Sequence, residues 1–205
     1  MYQETYKSKP SVAGLLIIAA IITVALAYAA ISMNTGDLLW FWPRNDNLPN
    51  AIVIHCYSED VVVDPASAHF TEITIMVNDV MSGQKRWDPL SLSDVTYNEY
   101  LSHPKMMTLE VSYPRPVRIH TNTAFFSNVD MLLIPLDARH ASKNVVFGRT
   151  AAGHPAAGSL FIDSTDAVKD YLNIQGICVS EKASMWNASD TQQDVPSVNS
   201  DRSEN

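Results

Sequence analysis

VAGLLIIAAIITVALAYAAISM, Val12 to Met33, runs for 22 positions without a charged side chain. At 1.5 Å per residue a helix of this length reaches about 33 Å, enough to cross the roughly 30 Å hydrocarbon core of a bilayer. No polar stripe interrupts the run, which disfavours a half-buried core helix. The stretch therefore divides the chain into an anchor and what the anchor carries. Residues 1–11 form a short leading segment, 12–33 a transmembrane helix contacting the lipid bilayer, 34–49 an aromatic linker, 50–185 a folded domain and 186–205 a tail.

The flanks give a direction. Lys7 and Lys9 precede the run against Glu4, whereas the far side opens with Asp37 and carries no cation before Arg44. The positive-inside bias then keeps the amino terminus cytoplasmic and places the domain outside, as in a single-pass signal anchor. Tyr2 and Tyr6 lie on one flank, and Trp40, Phe41 and Trp42 on the other form the expected outer aromatic belt. A second reading also fits these residues: Lys7 and Lys9, an apolar run to Val24, then Ala25-Leu26-Ala27, is the layout of a signal peptide cleaved after Ala27. The extra apolar length from Tyr28 to Met33 favours the uncleaved anchor. Both readings export the domain.

Beyond the anchor, turn signals and periodicity predict an α+β domain, a mostly antiparallel sheet covered by two or three helices. Ala51 to Tyr57 is β-branched and bounded by Pro49-Asn50 and Ser58-Glu59-Asp60, so it reads as a strand. Asp64-Pro65 can open a helix with Phe70, Ile73, Val77, Val80 and Met81 at helical spacing, stopped by Gly83. Lys85 to Pro89 reads as a loop, and Ser93 to Ser102 as a helix closed by His103-Pro104. Met106 to Tyr113 and Val117 to Thr121 read as paired strands joined across Pro114-Arg115-Pro116. Val129 to Leu136 and Asn144 to Gly148 form another pair, with Pro135 implying an edge or a bulge. Leu160 to Ile162 is a short strand, and a helix from Ser164 to about Gln175 stops at Gly176. The tail from Trp186 is too poor in apolar residues to order itself.

Chemistry is sparse. The net charge of −8 disfavours nucleic acid as a partner. Among six histidines no pair is spaced two or four apart, so neither a metal site nor a cofactor is expected. Cys56 and Cys178, at the two ends of an exported domain, are a candidate disulfide, with two buried thiols as the alternative. His55 and Cys56 are neighbours on a strand and point to opposite faces, so they cannot form a thiolate pair. Gly148, Gly153 and Gly158 lack the Lys-Ser/Thr or G-x-G-x-x-G context of a phosphate cradle and read as a flexible surface loop. No G-x-S-x-G elbow occurs.

Three residues remain as candidate binding positions: Trp87, between Arg86 and Asp88, with His140 and His154 in polar connections. Trp87 either stacks on a partner or folds back over the core edge. Asn187-Ala188-Ser189 matches a glycosylation sequon. The reading these residues support is a non-enzymatic, membrane-anchored protein that binds another protein or an envelope component outside the cytoplasm. One alternative is a tethered hydrolase assembled from His120, His140, His154 and Asp137. Another is an accessory subunit that packs its anchor through small residues such as Gly14, Ala20 and Ala27.

Overall fold

The structure is a computed structural model and describes residues 11–42, 44–121, 126 and 128–179. The leading segment with Lys7 and Lys9, the sequon and the tail lie outside the described residues.

Helix α1 (Val12–Thr35) begins at Ser11, whose hydroxyl accepts the Gly14 amide, and ends where Gly36 turns left-handed at φ 65°. It runs two residues beyond the predicted Met33. It is long and apolar enough to cross a membrane, a test that a signal sequence also passes. Of its side chains only Ser32 and Thr35 are buried, both in the last turn where the domain begins.

The domain is an α+β unit built on one seven-stranded antiparallel sheet, as its patterning predicts. The strands are β1 (Ala51–Cys56), β2 (Glu59–Val63), β3 (Arg86–Asp88), β4 (Met107–Val117), β5 (Val129–Asp137), β6 (Val145–Arg149) and β7 (Pro155–Phe161). They lie in the order β2-β1-β4-β5-β6-β7-β3. Three helices cover the sheet: α2 (Ala68–Met81), α3 (Asp94–Ser102) and α4 (Asp166–Ile174). The larger core joins Ile52, Ile54, Leu109, Val111, Leu132, Ile134, Val146 and Leu160 of the sheet to Ile73, Val77 and Val80 of α2 and Val168 and Leu172 of α4. Strand alternation sends the intervening residues to the opposite face. There Leu133, Val145 and Phe147 pack with Tyr100 of α3 and with Leu92 and Met106.

Five local expectations are corrected. Ser58-Glu59-Asp60 does not end the first strand's ladder but turns it: Tyr57 and Ser58, at φ 50° and 84°, make a two-residue loop into β2. Such loops are signalled by Asn-Gly or Asp-Gly, and Tyr-Ser carries neither. The two predicted strands around Pro114-Arg115-Pro116 are a single strand, β4. Ser112 is the last β4 residue paired with β1, and the register with β5 jumps from Ser112 to Val117, so neither proline interrupts a ladder.

The loop predicted at Lys85 to Pro89 contains β3, which pairs with β7. The glycine-spaced stretch is not a flexible loop either. A Cβ on Gly148 would lie 2.6 Å from Val129 and 2.7 Å from Phe126, and Gly158, at φ +89°, lets the Trp87 indole seat against β7. Only Thr150 to His154 turns between strands, closed by the Thr150 amide on the His154 carbonyl at 3.0 Å.

Helix α2 begins three residues later than Asp64-Pro65 suggests. Asp64 accepts the Ala66 amide in a turn of its own, and the Ser67 hydroxyl then caps the helix on the Phe70 amide. Pro135 does mark a bulge: Thr108 faces Pro135 while Met107 faces Asp137.

Candidate functional site

One row of side chains crosses the α3 face through matched registers: Val62, Val53, Glu110, Leu133, Phe147, Ser159 and Asp88. Its burial is uneven. Leu133, Phe147 and Ser159 are buried, Val53 and Glu110 half-buried, and Val62 is 71% exposed. Helix α3, nine residues and about 13 Å long, lies against the β1–β2 loop and β4 through the Ser58–Ser102 and Tyr97–Glu110 hydrogen bonds and covers only part of a sheet roughly 29 Å wide. The corner formed by β2, β1 and the adjoining part of β4 is left open, with Val53, Val62 and Ser112 at its surface.

A chain of polar contacts borders this corner. Nδ1 of His55 on β1 is 2.7 Å from Asp60 Oδ1 on β2, and Nε2 lies 3.5 Å from Glu110 Oε2 on β4, an ion-pair distance too long for a good hydrogen bond. The Tyr97 hydroxyl of α3 donates to the same Glu110 oxygen at 2.9 Å. The Arg149 guanidinium stacks 3.9 Å from the Tyr97 ring centroid and reaches Asp94 at 3.1 Å. Glu110 of β4 is thus met directly by His55 of β1 and Tyr97 of α3, while Asp60 of β2 and Arg149 of β6 join the chain through those two.

The protonation states follow from this arrangement. Burial pushes the His55 imidazolium towards neutrality, but the nearby Glu110 carboxylate and the hydrogen bond and charge of Asp60 outweigh it, and the pKa rises above its ordinary value. Burial pushes Glu110 up, yet His55 and Tyr97 hold its carboxyl below the usual range. Tyr97 is pushed well up, by burial and by Glu110. The result is a carboxylate held below its usual range by a histidine and a phenol, with Val53 on the neighbouring strand and Val62 one strand further. Such a site suits recognition of a cation flanked by apolar surface.

The residues named from sequence fall in separate places. Phe41 and Trp42 are exposed at the end of α1, while Trp40 is half-buried with its indole nitrogen enclosed. Trp87 packs at the edge of the larger core and donates from Nε1 to the Ala157 carbonyl at 2.6 Å. His140 stacks on Tyr100 and shares a 2.5 Å hydrogen bond with its hydroxyl; burial, with Lys143 and Arg139 nearby, lowers its pKa. His154 is exposed in the β6–β7 turn. Asp137 accepts from the Tyr57 hydroxyl at 3.0 Å and faces Lys169 at 3.6 Å.

His120 contacts Asp37 at 2.5 Å just past the end of α1, and Arg118 donates to the Gly36 carbonyl beside it. Burial pushes Asp37 up, but the His120 and Leu39 hydrogen bonds lower its pKa overall. His120, His140, His154 and Asp137 thus each meet different partners and do not converge. Among the described residues no three His, Cys, Asp or Glu side chains are grouped to hold a metal ion.

Cys56 and Cys178 are bridged, with Cα atoms 5.7 Å apart. The α4 terminus delivers Cys178: the Ile177 amide returns to Leu172 O and Gly176 to Asn173 O, a Schellman closure that reverses the chain towards the end of β1. The Asp60–His55–Glu110 chain was not foreseen from sequence, because it requires β2 to pair with β1. The chain matches no protein-family model, no curated protein and no solved structure.

Proposed function

We propose that the protein is a single-pass membrane protein whose extracytoplasmic α+β domain binds another protein at the open corner of its sheet. The observation that carries this reading is the exposed Val62, next to Val53, which in turn neighbours a half-buried Glu110 whose pKa is held below its ordinary value. Apolar surface next to a fixed, partly desolvated charge is the composition of an interaction site. The partner contributes a Lys or Arg side chain to Glu110 and apolar contacts to Val62 and Val53. In this reading α1 holds the domain at the membrane, with the amino terminus in the cytoplasm.

The test is site-specific photocrosslinking in native membranes. A crosslinker at Val62 is expected to yield a discrete adduct that Glu110→Gln weakens, whereas one at exposed Ile75 on α2 yields none. Absence of the Val62 adduct, or the same adduct from both positions, would overturn the assignment of the surface. Protease added to intact cells is expected to digest the domain; survival until lysis would overturn the orientation.

A further inference from the structure

Past Gly36 the chain does not leave α1 but doubles back along it. The Tyr28 hydroxyl donates to the Leu38 carbonyl at 2.8 Å, and the Phe41 ring lies 6.3 Å from the Tyr28 ring. Tyr28 is seven residues before Thr35, about 10 Å down the helix axis. Phe41 is therefore held at a depth inside the span, and Leu38, Leu39, Phe41 and Trp42 all expose apolar surface around the helix. An open groove of about 290 Å³ follows, lined by Phe41, Trp42, Arg44 and Ser82.

Its polar end is one guanidinium. Arg44 contacts Asp46 Oδ1 at 2.8 Å through Nε alone, and the two side chains are 69% and 67% exposed. Exposed pairs of this kind contribute little, so Asp46 orients Arg44 without saturating it, and both terminal amino groups remain available. The Arg44 amide donates to the Trp42 carbonyl at 2.8 Å, and both side chains line the groove.

We infer that this groove seats the phosphodiester of a phospholipid in the leaflet where α1 ends, with Arg44 on the phosphate and Phe41 and Trp42 against the upper acyl chains. The inference rests on the anchor reading above. Continuity with the span selects the occupant, because the apolar wall formed by Phe41 and Trp42 packs back on α1 through the Phe41–Tyr28 ring contact, and the guanidinium lies a few residues past the end of the apolar stretch, at headgroup level. A planar fork with free N–H groups matches phosphate oxygens, and indole and phenyl rings suit the boundary where they lie. Phosphate alone is required, so a zwitterionic lipid satisfies the site despite the acidic domain.

The experiment uses the full chain reconstituted in phosphatidylcholine nanodiscs and released for native mass spectrometry. Wild-type protein is expected to retain one phosphatidylcholine. Arg44→Gln should lower that occupancy about tenfold, as loss of a charge-assisted hydrogen bond implies, Arg44→Lys should keep part of it, and Lys105→Gln, far along the chain, should leave it unchanged. Thermal melts check that each variant is folded. Equal occupancy in wild type and Arg44→Gln overturns the inference while leaving the anchor intact, as does a lipid lost with Trp42→Ala but not with Arg44→Gln, which marks only apolar contact. Failure of the chain to enter nanodiscs overturns the anchor reading and the inference with it.

Discussion

Glu110 occupies the α3 face of a central strand, where alternation alone would admit an apolar residue, and it is tolerated because His55 and Tyr97 meet it. Its chemistry sets a pH dependence. His55 has a folded pKa above its ordinary 6.5, so its contribution is complete below about pH 6.5 and is lost as pH rises through the folded value. Glu110 has a folded pKa below its ordinary 4.5, so its contribution is complete above about pH 4.5 and is lost as pH falls through the folded value. Both are present between about pH 4.5 and 6.5. Urea midpoints measured from pH 3 to 9 should therefore peak in that window. Glu110→Gln should flatten the acid limb and move the alkaline decline to lower pH, and an unchanged profile in the variant would refute the assignment. A second residue-scale outcome concerns Gly158, where a Cβ would meet the Asp88 carbonyl at 2.3 Å. Gly158→Ala should destabilise by about 1–3 kcal/mol in chemical denaturation, through strain and overpacking together.

Among the elements, α2 shows what periodicity settles and what it does not. Ile73, Ile75 and Val77 alternate as a strand would, but Val80 and Met81 continue the helical spacing, and the structure buries all but Ile75 of these five. The helix start is a local competition between two caps. Asp64 precedes a proline and folds its own turn, which leaves Ser67 to begin the helix. Ser67→Ala should lower stability by about 1 kcal/mol and Asp64→Ala by less, both read from denaturation midpoints. The reverse order would place the cap at Asp64. The missed strands have a common cause. β2 and β3 are short edge strands, defined by their partner's ladder more than by their own pattern, and Tyr57-Ser58 and Lys85-to-Asp88 carry no strong strand or turn signal. The open corner was illegible for the same reason, since His55 meets Asp60 only after β2 is paired, whereas the long apolar helix, the α+β class and strands β1 and β5 follow from composition and alternation, and β4 does so only up to Tyr113.

For the whole molecule, the bridge between Cys56 and Cys178, 122 residues apart, joins the end of the first strand to the chain after the last helix. Closing a loop of this length lowers the entropy of the unfolded chain by up to about 5 kcal/mol at room temperature. A Cys56→Ser/Cys178→Ser double variant should lose several kcal/mol of stability against the oxidised protein, and reductant should bring the wild type to the same midpoint. No difference between oxidised and reduced wild type would show that the bridge adds nothing. The same bond also fixes a load path. If α1 anchors the domain as proposed, tension between the bilayer and whatever follows Cys178 passes from α1 through β1 and directly across the two sulfurs, so α2, α3, α4 and the other six strands carry no part of it along the backbone. A pull that would otherwise pay out roughly 400 Å of chain instead meets a closed ring, and the tether between membrane and carboxyl terminus stays short until a reductant opens it.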